Sequence, residues 1–205
     1  MRHLILFLFS FLVVTSCIAQ KQNIMKTFDI KNFKKNIKGL DYQFIDKDSS
    51  IVIQNESQLE YRETIQPKNS FFHTINLYHK SGKLKTTYQI YPDLFLKGVR
   101  KEYDEQGNLV KETDYDAPYK FTWENVLKLI KERKIDMSHE QFQVNRSFGF
   151  GTENIGKETE KPFWAVTYGV NGREKLNVII IDGVNGSIIK EYLEDYPAGG
   201  DYDDE

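Results

Sequence analysis

The chain has 205 residues, 28 Lys and Arg against 30 Asp and Glu, and a formal net charge of -2; no cationic excess is available to follow a phosphate backbone, which argues against nucleic-acid binding. Hydrophobic residues at 40% and charged residues at 28% exclude wholesale disorder. The 12 Tyr and 14 Phe favour half-buried strands over a helical bundle.

The first stretch reads as an address. Arg2 and His3 give a short positive region, and residues 4–14 form an apolar run too short to span a bilayer. Val14-Thr15-Ser16-Cys17 then resembles the bacterial lipobox, in which the cysteine becomes the lipidated first residue of the mature protein. Cys17 is the single cysteine of the chain, so no intramolecular disulfide can form, and a lipid thioether accounts for a lone thiol in an exported protein. The resemblance implies a lipoprotein signal peptide over 1–17 and lipidation at Cys17. It places the chain in the cell envelope, held at a membrane by its N-terminal lipid and facing the periplasm or the cell surface. Cys17-Ile18-Ala19 before Gln20 also fits an A-x-A-like cleavage site, which would remove Cys17 and release a soluble periplasmic or secreted protein.

Residues 18–40 are polar and Lys-rich, a tether in which Phe28, Ile30, Phe33 and Ile37 partly follow helical spacing and Gly39 offers a stop. The period then changes. Tyr42 and Phe44, Ile51 and Ile53, and Leu59, Tyr61, Glu63 and Ile65 alternate with polar residues as three strands, with a turn-forming run at 46–50 and a break at Pro67.

Two related units follow. Residues 75–88 align with 100–113 through the pattern Y-x3-G-x-L, which places Tyr78, Gly82 and Leu84 against Tyr103, Gly107 and Leu109. Each unit predicts a β-hairpin: Gly supplies the positive φ of a bulged loop, and Tyr and Leu pair across the two arms. Lys, Glu and Thr take the opposite face. The tandem resembles the MORN-variant repeat of YwqK-like antitoxins over roughly residues 72–115, most closely at Tyr103, Gly107, Leu109, Lys111 and Glu112. That resemblance implies a hairpin sheet and carries no catalytic residue.

Pro118 interrupts the sheet. Thr122 then caps a helix whose apolar stripe is Trp123, Val126, Leu127 and Ile130, with Glu124 at its positive end and its end near Lys134. A short strand is expected over 141–144, a Gly-containing loop over 149–156 that does not reproduce G-x-G-x-x-G, and strands over 163–168, 176–181 and 187–192. The run Val178-Ile-Ile-Ile181 suits a central strand, Asp182 suits hydrogen bonding of turn amides, and Asn185-Gly186 is a strong hairpin turn. "NVIIIDGVNGSIIKEY" behind one helix resembles a PepSY-type module, which implies a binding or inhibitory unit of the cell envelope.

The expected fold class is α+β: an antiparallel hairpin-repeat sheet over 41–118, then a helix packed on a C-terminal antiparallel sheet over 119–193, then an acidic tail over 194–205. His73, His79 and His139 lack metal-site spacing, and no nucleophile elbow is present. We therefore expect no catalytic, cofactor-binding or metal residues and no cofactor. The expected function is a non-enzymatic envelope lipoprotein that binds another protein, with a toxin-neutralising immunity protein as a special case. An enzyme without a recognisable motif and a structural spacer are the competing readings.

Overall fold

The computed structural model describes residues 26–92, 94–147, 161–169 and 175–195. Over these residues the protein is mostly antiparallel β, in two sheets with two short helices, broadly α+β.

A short helix, α1 (Ile30–Asn36), comes first; Asp29 caps it by accepting a hydrogen bond from the Asn32 N–H. Seven strands follow: β1 (Asp41–Ile45), β2 (Ile51–Glu56), β3 (Tyr61–Gln66), β4 (His73–Tyr78), β5 (Leu84–Tyr91), β6 (Phe95–Tyr103) and β7 (Leu109–Asp114). They form one sheet in strict sequence order, each antiparallel to the next. The turn between β1 and β2 closes as its residues dictate: Asp48 accepts from the Ser50 N–H at 2.9 Å, and Ser49 takes a positive φ of 67°.

The alternation within β2 differs from the expected one. Val52 and Gln54 are buried, whereas Ile51 is exposed. Register explains it: Phe44 opposes Val52, and Gln54 opposes Glu63, so these side chains share the face on which α1 packs. Leu59 is not part of β3; it is 80% exposed in the preceding turn, where the Ser57 hydroxyl accepts from the Leu59 and Glu60 amides.

The second half begins with α2 (Trp123–Glu132), followed by β8 (Gln143–Ser147), β9 (Phe163–Tyr168), β10 (Lys175–Asp182) and β11 (Ile188–Asp195). The sheet order is β11-β10-β9-β8. Trp123, Val126 and Ile130 of α2 cluster with Val144, Trp164, Val166, Ile179 and Ile181, the helix-facing set of three strands. Phe163, Val178 and Ile180 form a separate buried cluster on the opposite face. The apolar run of β10 is therefore buried on both sides. Thr122 stands at the N-cap of α2 but makes no capping bond to a helix amide. Its side chain bonds the Glu124 carboxylate instead, and that bond, with the backbone N–H of Glu124, holds the carboxyl below its usual range. β11 runs through Asp195, so Glu194 and Asp195 belong to the sheet rather than to a tail.

The two sheets share one hydrophobic cluster. Phe72 and Phe95 of the first half pack with Tyr119, Trp123 and Trp164 of the second. Tyr91 stacks on Phe95 across the β5–β6 hairpin at 5.3 Å, and Phe95 meets Trp164 edge-on at 5.5 Å. Among the described residues no helix is long and apolar enough to cross a membrane.

Candidate functional site

The two repeat units have the same construction. Tyr78 opposes Leu84 and Tyr103 opposes Leu109, each beside a register shift. In each loop the Gly sits at positive φ, 85° at Gly82 and 97° at Gly107. Its N–H bonds the carbonyl of the residue after the Tyr, at 2.8 Å to His79 and 3.0 Å to Asp104. Asp104 adds a carboxylate that accepts from the Asn108 side chain and from the Asn108 and Gly107 backbone amides, and these bonds depress its pKa. The copies differ in burial. Tyr78 and Leu84 lie in the core beneath α1, whereas Leu109 is 48% exposed at the sheet edge.

The inner copy adjoins a buried polar cluster. Glu63 of β3 is 7% exposed and accepts hydrogen bonds from Gln54, Asn76 and the Tyr78 hydroxyl at 2.8–3.1 Å; Lys26 bonds the same carboxylate at 2.5 Å. Thr87 bonds Asn76 at 2.7 Å and extends the network to β5. Burial pushes the Glu63 carboxyl upward, but the bonds and charge from Lys26, with Gln54 and Asn76, outweigh it and leave the pKa below the usual carboxylate range. Burial and the neighbouring Glu63 charge raise the Tyr78 hydroxyl well above a tyrosine's ordinary value. Sequence reading missed Glu63 as a site residue, although its alternation with Tyr61 and Ile65 marks it as inward-facing.

Arg146 of β8 was also missed. Its side chain is 6% exposed and lies over the rings of Phe95, Tyr119 and Trp164 at 4.7–5.4 Å. One guanidinium nitrogen bonds Asp116 at 2.7 Å, and another bonds the Leu96 carbonyl. The cation thus joins the second sheet to β6 and to the connection before α2. Burial pushes the Tyr119 hydroxyl up to about 12 despite the nearby guanidinium.

Of the four edge strands among the described residues, β1, β7, β8 and β11, the longest is β11. Its eight residues pair with β10 alone, and Ile188, Ile189 and Leu193 are 36%, 42% and 55% exposed. Three of the four charged residues of β11 are engaged within the chain: Glu191 pairs with Arg133 at 2.7 Å, Asp195 with Lys175 at 2.9 Å, and Lys190 lies over the Tyr192 ring. Beside this strand a shallow cavity of about 230 Å³ is lined by Tyr168, Asn177, Ile179, Glu191 and Leu193. The Nδ2 of Asn177 is itself shielded from solvent and has no hydrogen-bond partner among the described residues. The opposite sheet has an edge at β7, which is shorter and carries the Lys101–Glu112 pair along its side.

The histidines are not brought together. His79 reaches the Tyr103 carbonyl at 3.3 Å from its ring, His73 pairs with Ile90 at the other end of β4, and His139 accepts from the Gln141 amide. No group of three or more His, Cys, Asp or Glu converges on a metal position among the described residues. Asp182 accepts from the Val184 and Asn185 amides at 2.7 and 3.0 Å, and these bonds hold its carboxyl below the usual range. Cys17, the 149–156 loop and the tail beyond Asp195 lie outside the described residues.

No family model matches the chain, and no curated protein or solved structure matches it significantly.

Proposed function

We propose that this protein is a non-enzymatic lipoprotein of the bacterial cell envelope, anchored through Cys17, that binds another protein by taking an extended partner segment onto the β11 edge. The observation that carries this reading is the edge itself. Among the described residues, eight residues of backbone pair on one side only, Glu191 and Asp195 are paired with Arg133 and Lys175, and Ile188, Ile189 and Leu193 are exposed. Such an edge supplies main-chain hydrogen bonds for affinity, and adjoining cavities supply side-chain selection. The resemblance of the repeats to MORN-variant units and of the C-terminal half to a PepSY-type module agrees with a binding role. A toxin-neutralising immunity protein is the special case in which the partner is an incoming toxin.

Wild-type protein immobilised against envelope extract at physiological salt should retain a partner. Ile189→Lys with Leu193→Lys on β11 should abolish that retention, while Val110→Lys on the β7 edge should not. Equal capture by all three proteins would refute the β11 assignment. The anchor has its own test: labelling cells with a radioactive fatty acid should mark the wild-type chain and leave the Cys17→Ser chain unlabelled. An unlabelled wild-type chain would favour cleavage before Gln20.

A further inference from the structure

Residues 26–37 are joined to β1 only through 38–40, yet their contacts lie mostly on β2 to β5. Phe28 stacks on Tyr61 at 4.7 Å and meets Tyr78 at 5.3 Å, and Phe33 is fully buried against the same cluster. Lys26 reaches the buried Glu63 carboxylate, and Lys34 pairs with Glu56. The main chain adds one bond, from the Phe28 N–H to the Gly82 carbonyl at 2.8 Å, beside a bridge between Thr27 and Lys83. Two aromatic anchors, two ammonium groups on acidic partners and a short backbone pairing are the elements by which a cleft holds a bound peptide.

We infer that this face of the first sheet is a peptide-recognition cleft, filled within one chain by residues 26–37, and that the same segment of a second copy fills it in exchange. An identical segment necessarily fits an identical cleft, and this is the basis of domain swapping. The cleft requires its guest: without Lys26, Glu63 is a buried carboxylate facing only neutral donors. The hinge is slight. The 38–40 link is closed by the Lys38 N–H to the Asp41 carbonyl at 3.0 Å, Leu40 is 84% exposed, and Gly39 turns the chain at a φ of 66° with open space around it. Straightening Gly39 and breaking that bond frees the segment while its docking contacts are remade in the partner. This inference does not depend on the β11 edge.

The test uses the full chain with Cys17→Ser, so that introduced thiols are the only ones. Thr27→Cys and Lys83→Cys are prepared separately, mixed, unfolded in urea, refolded together at high concentration and oxidised. Exchange predicts a mixed disulfide dimer severalfold more abundant than when Val110→Cys, an exposed position on β7, replaces Lys83→Cys. Gly39→Pro, which forbids the positive φ, should raise the yield further, and Lys26→Gln with Phe28→Ser should lower it toward the control. Fluorescence of Trp123 and Trp164, in the other core, reports that each chain has refolded. An excess of mixed dimer in either hinge background supports exchange. A yield equal to the control in refolded chains of both backgrounds overturns it.

Discussion

Arg146→Ala should lower stability by on the order of 3 kcal/mol, through lost cation–π contact and a half-buried carbonyl left without its donor. For a chain of this size that corresponds to a melting-point drop of roughly 6–12 °C. The three rings around the guanidinium lose their filler, and the Leu96 carbonyl loses its donor. Asp116 is 41% exposed and regains water, so its unpaired charge adds little to the loss. Arg146→Lys should recover only part, because an ammonium cannot bond Asp116 and Leu96 as a planar fork while lying flat on the rings. Scanning calorimetry of the three proteins checks the ordering. A melting point for Arg146→Ala within a degree of wild type would show that the junction holds without the cation.

Glu63→Ala should cost about 3 kcal/mol at neutral pH, because it strands several buried donors at once. Gln54, Asn76 and Tyr78 all point at the missing carboxylate, and Lys26 loses its anchor. The same group gives the wild-type protein an acid sensitivity of defined sign. Its carboxyl is held below the ordinary glutamate value of 4.5, so its contribution is fully present above that value and is lost as pH falls through the lower folded pKa. Glu63→Gln should be less stable than wild type at pH 7, and the gap should narrow as the solution is acidified below 4.5. Urea midpoints at descending pH measure this. A gap that stays constant or widens on acidification contradicts the assignment.

Hairpins were the most legible features. Y-x3-G-x-L and Asn185-Gly186 each encode a loop within a few residues, and the positive φ at Gly82, Gly107 and Gly186 is what those loops require. The stripe of α2 was readable for the same reason, since Trp123, Val126 and Ile130 follow one period on one element. What escaped depends on partners distant in the chain. Glu63 reads as an ordinary strand carboxylate until Lys26, Asn76 and Tyr78 converge on it. Arg146 reads as a surface cation until Leu96, 50 residues away, and the three rings enclose it. Thr122 occupied its expected cap position, yet its hydroxyl serves Glu124 rather than a helix amide. The parity of β2 failed because Ile51 and Val52 are equally apolar and only register decides which turns inward.

The strict succession of strands has a kinetic side. Every strand in both sheets pairs with its neighbour in the chain, and apart from β8–β9, which closes a loop of 15 residues, each pairing closes only a short one. Sheet growth is then a series of local steps, hairpin added to hairpin, with little chain entropy lost at each. The contact of Arg146 with β6 is of another kind, because it must bring together groups separated by the remainder of the first sheet and all of α2. Locking the two halves is the step with the long loop, and the interactions made there weigh on how slowly the finished protein comes apart.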